Sequence, residues 1–62
     1  MKKDYRITAH IYENGKYVYT STYYVEAPNP YSARIKAEKA YKDRGYIPGH
    51  SVYVVEVEEM RN

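Results

Sequence analysis

Tyr5-Arg6-Ile7-Thr8-Ala9-His10-Ile11-Tyr12-Glu13-Asn14-Gly15-Lys16-Tyr17-Val18-Tyr19-Thr20-Ser21-Thr22-Tyr23-Tyr24 decides the fold, because two tyrosine-rich runs flank one Asn-Gly pair. A two-residue turn of type I′ needs positive φ at both central positions, which Asn tolerates and Gly takes freely. A hairpin therefore folds about Glu13-Asn14-Gly15-Lys16, with Glu13 facing Lys16 and Tyr12 facing Tyr17. Continued without interruption, this register sets Arg6 opposite Tyr23. Side chains alternate faces along a strand. One face then carries Tyr5, Ile7, Ala9, Ile11, Val18, Thr20, Thr22 and Tyr24, an aliphatic core side. The other carries Arg6, Thr8, His10, Tyr12, Tyr17, Tyr19, Ser21 and Tyr23, an aromatic side with one cation and one imidazole.

Outward from the hairpin, Met1 to Asp4 reads as a polar, frayed lead-in. Strand one spans about Tyr5 to Tyr12, and strand two about Tyr17 to Glu26. A β-bulge is expected within Thr20-Ser21-Thr22-Tyr23-Tyr24, since otherwise Val25 points away from the core. Ala27-Pro28-Asn29-Pro30 ends the strand and starts a helix: Asn29 caps, and Pro30 at the first helical position gives up an N–H that would have no partner there. The helix runs to about Arg44 and stops at Gly45. Ala33, Ala37, Ala40 and Tyr41 share the face that lies on the sheet, while Tyr31 and Ile35 form a second apolar stripe. Pro48-Gly49 centres a type II turn. Strand three, Ser51 to about Glu59, places Tyr53, Val55 and Val57 on one face and Val52, Val54, Glu56 and Glu58 on the other. A right-handed crossover sets it parallel to strand two and beside strand one. The expectation is a single α+β domain, a two-layer ββαβ arrangement with sheet order 2-1-3 and the helix on one face.

At 62 residues the chain is near the lower limit for a self-sufficient core, and without cysteine it has no disulfide framework. A second subunit is the staple this leaves. Ten tyrosines with no Phe or Trp put hydroxyl-bearing rings where aromatic cores would have greasy ones, which favours rings on surfaces and interfaces. Net charge is only +2, with a pI near 8.8, so the total implies no strong polyelectrolyte partner. No apolar run is long enough for a signal-peptide core or a membrane span, and a cytoplasmic chain without membrane contact is the expectation.

Chemistry is sparse. His10 and His50 have no third ligand at metal spacing, and Ser21, Ser32 and Ser51 have no nucleophile context. Neither catalysis, metal nor cofactor is expected. The candidate binding residues are Arg6, His10, Tyr12, Tyr17, Tyr19 and Tyr23 on the sheet, and Tyr31, Ile35, Lys39 and Lys42 on the helix. Three occupants suit the sheet face, in descending order: a second copy of the chain, favoured by Val52 and Val54 on that side; another protein; and single-stranded nucleic acid stacked on the rings.

Val25-Glu26-Ala27, Asn29-Pro30-Tyr31-Ser32-Ala33, Ala37, Ala40 and a β-rich end resemble the strand-helix-strand unit of small phage and mobile-element proteins, some anti-CRISPR proteins among them. The hairpin Tyr5-Arg6-Ile7-Thr8 to Asn14-Gly15-Lys16-Tyr17, followed by one helix and one strand, is similar in layout to the p56 family of phage uracil-DNA glycosylase inhibitors, which are dimeric DNA mimics. The resemblance implies a homodimeric inhibitor or regulator of a host defence or DNA-processing protein. Mimicry of DNA requires an acidic surface, and in sequence the acids gather only at Glu56, Glu58 and Glu59. No functional residue is carried over from either family.

Overall fold

The computed structural model describes residues 2–45 and 47–60. Four elements follow in the order β1 (Lys3–Glu13), β2 (Lys16–Ala27), α1 (Pro30–Gly45) and β3 (His50–Met60). The sheet order is β2-β1-β3, with β1 antiparallel to both neighbours, so the α+β fold and its topology are as the sequence indicates. Lys3 and Asp4 belong to β1, paired with Ala27 and Glu26, and are not a frayed lead-in.

Each local stop signal acts as its chemistry requires. Asn14 and Gly15 have φ of 50° and 83°, and Glu13 faces Lys16 across them. The side-chain Oδ1 of Asn29 accepts the Ser32 N–H at 2.8 Å, capping α1. Gly49 has φ 93°, and the His50 N–H donates to the Ile47 carbonyl at 2.9 Å across Pro48-Gly49, as a type II turn requires. The two turns are also tied together, since the Asn14 N–H donates to the Gly49 carbonyl at 2.9 Å. Tyr46, in the same connection, lies outside the described residues.

β1 alternates without a break: Tyr5, Ile7, Ala9 and Ile11 are all buried beneath α1. Both of its neighbours carry one residue too many. On β2, Tyr12 pairs with Tyr17 but Ile11 pairs with Tyr19, leaving Val18 opposite no residue of β1. On β3, Ala9 pairs with Val54 and Thr8 with Glu56, leaving out Val55. The β2 bulge therefore follows directly after the turn and not within Thr20–Tyr24.

The reason is the polarity of what lies further on. An unbroken β2 would send Glu26 under the helix; the extra residue sends Ala27 there instead, fully buried, with Tyr23 and Val25 packed on the same core. An unbroken β3 carrying Val52 and Val54 inward would bury Glu56 and Glu58. The Val55 bulge brings in Val57 instead and leaves only Glu59 on the helix side, at the exposed end of the sheet, 3.6 Å from Lys3 Nζ. Burying an unpaired carboxylate costs far more than one irregular ladder position.

The core is thin. Tyr5, Ile7, Ala27, Ala33 and Ala37 form its centre, and Tyr23, Val25, Val54 and Val57 pack at its margin. The alanines let α1 come close enough to touch all three strands. Tyr5 and Tyr41 are buried, so the tyrosines are not confined to surfaces.

Two stability predictions follow. Gly15→Val should cost about 1–3 kcal/mol, because a β-branched side chain resists positive φ. Deleting Val18 should unfold the domain by forcing Glu26 inward or breaking the turn, whereas Val18→Thr, at an exposed site, should change stability by less than about 0.5 kcal/mol. Urea melts of the three variants against the parent check both.

Candidate functional site

α1 covers one face of the sheet and leaves the other open. Among the described residues no element lies over that open face, so it is a broad surface free of the helix layer. Its composition follows from the two bulges. β1 contributes Asp4, Arg6, Thr8, His10 and Tyr12; β2 contributes Tyr17, Thr20, Thr22, Tyr24 and Glu26; β3 contributes Ser51, Tyr53, Glu56, Glu58 and Met60.

This corrects the expected aromatic face in four respects. Tyr19 and Tyr23 are on the helix side, because Val18 shifts the phase of β2; Tyr23 packs against the core. Tyr24 takes their place on the open face, 68% exposed, and Arg6 stands opposite Tyr24. Thr20 and Thr22 likewise leave the core side for the open one. Val52 and Val54 face α1, so the valines expected to help close the open face are not on it. Arg6, His10, Tyr12 and Tyr17 remain together as expected, and Tyr53 joins them.

At the turn end the rings touch. Tyr12 sits between Tyr17, with ring centroids 6.0 Å apart, and Tyr53, at 5.3 Å and an interplanar angle of 89°. His10 meets Tyr17 edge-on at 5.3 Å. The Tyr17 hydroxyl hydrogen-bonds the Thr20 Oγ1 at 2.7 Å, a same-face contact across an odd separation that the Val18 bulge makes possible. These four rings span all three strands, and a shallow depression of about 280 Å³ opens between Tyr12, Gly15, Ser51 and Tyr53.

At the far end the face is acidic. Asp4, Glu26, Glu56 and Glu58 stand against one cation, Arg6, which pairs with Glu58. Both partners of that pair are about half exposed, and such pairs contribute only about 0–1 kcal/mol. A second depression, about 490 Å³, lies beside Asp4, Tyr24, Glu26 and Met60. The helix layer has the opposite sign, with Arg34, Lys36, Lys39, Lys42 and Arg44 against Glu38 and Asp43.

The helix stripe of Tyr31, Ile35, Lys39 and Lys42 is exposed along its length, with Tyr31 at 72%. It lies on a different layer from the open sheet face. The two histidines are also separated: His10 lies on the open face, while His50 is mostly covered near α1, with its Nε2 3.9 Å from Glu13 Oε2. Among the described residues no three His, Cys, Asp or Glu side chains gather at metal-ligand distance, and no helix is long and apolar enough to cross a membrane.

The arrangement suits binding a partially apolar, cationic surface: ring edges and hydroxyls at one end, carboxylates at the other. The composition of the face was legible in the sequence for β1 and for Tyr17. On β2 the expected bulge lies at Val18 instead of within Thr20–Tyr24, where tyrosine and threonine give no sign of the phase change.

Edge-on ring contacts contribute about 0.5–1.5 kcal/mol each. Tyr12→Ala, which removes two, should therefore destabilise the domain by roughly 1–3 kcal/mol. Tyr31→Ala should be neutral within about 0.5 kcal/mol in the same urea titration.

Comparison of this chain with protein-family models, with curated proteins and with solved structures finds no match.

Proposed function

We propose that the protein is a small non-catalytic binding protein, an inhibitor or regulator of the phage type, that holds a host protein against its open sheet face. The observation that supports this most is the sorting of that face into a ring cluster at one end and four carboxylates around one arginine at the other. Rigid aromatic side chains are the usual anchors of protein interfaces, because they bury large area with few rotors to immobilise. The carboxylates complement a basic partner and steer its approach. A DNA-processing or defence protein offers such a surface where it holds nucleic acid, so the chemistry of the partner and the resemblance to phage inhibitors point the same way.

A second reading has the rings stacking on the bases of a single strand, as aromatic sheet faces do. Phosphates would then run past Asp4, Glu26, Glu56 and Glu58, and that repulsion disfavours it.

Pull-down from bacterial lysate separates the readings. The parent should capture a protein whether or not nuclease is present, and capture should weaken as salt rises. Tyr53→Ala and Glu56→Lys should each reduce it, Tyr53→Ala by ~30-fold in affinity if that ring is an anchor worth about 2 kcal/mol. The pair Tyr31→Ala and Ile35→Ala on the helix should leave it unchanged. Capture abolished by nuclease would favour the nucleic-acid reading, and loss only in the helix variants would move the site to α1.

A further inference from the structure

Among the described residues both outer strands of the sheet have a free edge, and the two edges differ. β3 carries Glu56, Glu58 and Glu59 and is interrupted at Val55, the charges and irregularity by which sheets discourage edge pairing. β2 has neither protection along its middle. From Tyr17 to Val25 it runs nine residues without a charge or a proline. Its one bulge, at Val18, lies at the turn end, so Tyr19 to Ala27 is regular. Such a strand presents outward N–H and C=O groups at alternate residues. At its far end the Lys36 ammonium donates to the Glu26 carbonyl and closes the row there.

The sequence of this edge is its own mirror image. Tyr19-Thr20-Ser21-Thr22-Tyr23 reads the same in both directions about Ser21, and with the unpaired Val18 passed over, Tyr17 and Tyr24 extend the symmetry. We propose that two copies of the chain join through β2, antiparallel about a two-fold axis at Ser21, into one continuous six-stranded sheet. An isologous contact pairs each residue with its mirror position. This register sets Tyr19 opposite Tyr23 of the second copy on the helix side and Thr20 opposite Thr22 on the open side, pairings that favour antiparallel strands. With Val18 passed over it also sets Lys16 of each copy opposite Val25 of the other, one residue from Glu26, so the ends of the neutral stretch bring unlike charges near each other. A thin core and a chain of 62 residues gain from the added burial. The join leaves both open faces uncovered and side by side, so it stands whether or not those faces bind a host protein.

Cysteine scanning on this cysteine-free chain tests the geometry. Opposed residues in an antiparallel pair have Cα atoms about 4.5–5.5 Å apart, within disulfide range. Ser21→Cys, on the helix side at the axis, should therefore cross-link to a dimer on mild oxidation. Thr8→Cys, in the middle of the open face, should not. Sedimentation of the parent should give twice the 7.4 kDa chain mass. Thr20→Lys with Thr22→Lys should sediment as a folded monomer by circular dichroism, as should Thr20→Glu with Thr22→Glu, and mixing the two should restore a dimer. Cross-linking at Thr8 and not at Ser21 would show the copies meeting face to face and overturn the proposal. So would a parent that remains a 7.4 kDa monomer at high micromolar concentration, or a double-lysine variant that stays dimeric.

Discussion

The architecture depends on keeping carboxylates out from beneath a single helix. β1 meets this condition by plain alternation, with Tyr5, Ile7, Ala9 and Ile11 inward and Arg6, His10 and Tyr12 outward. Its neighbours cannot, because Glu26 on β2 and Glu56 and Glu58 on β3 fall on the wrong phase of a two-residue period. Each strand drops one valine out of register and so restores the phase. Period two makes such a step decisive, since one residue of slip exchanges the faces of everything beyond it.

The open face is the consequence of those two steps. They carry Tyr23, Val25 and Val57 to the core margin beside Val54, and turn Tyr24, Thr20, Thr22, Glu26, Glu56 and Glu58 to the open side. Charge is partly sorted as a by-product: Asp4, Glu26, Glu56 and Glu58 stand on the open side, Glu13 and Glu59 stay on the helix side at the two ends of the sheet, and bases predominate on the helix. A chain of net charge +2 thus has an acidic face that its total conceals. The requirement for an acidic surface, which the linear sequence met only at Glu56, Glu58 and Glu59, is met more fully once Asp4 and Glu26 fold next to each other.

What was legible in the sequence were the features with local causes. Asn14-Gly15, Asn29-Pro30 and Pro48-Gly49 each fix their own backbone, and the strand order follows from chirality and connection length. The existence of a β2 bulge was also legible, from the conflict between Val18 and Val25. Its position was not, because tyrosine and threonine are amphipathic and sit equally well on either face. Tyr19-Thr20-Ser21-Thr22-Tyr23-Tyr24 therefore offers no contrast to show where the phase changes. The contrast lies beyond it, between Glu26 and Ala27. On β3 the run Val52 to Val55, apolar throughout except for the tyrosine hydroxyl, hid the second bulge in the same way.

The most direct measurement is the nuclear Overhauser contacts of two adjacent rings, Tyr23 and Tyr24. With the extra residue at Val18, the Tyr23 ring packs on the cluster of Ile7, Ala33 and Ala37 and should show contacts to those methyl groups, while Tyr24, on the opposite face, should show none to the helix. Contacts from Tyr24 to Ala33 or Ala37, with Tyr23 free of them, would place the phase change elsewhere and contradict the assignment of the open face.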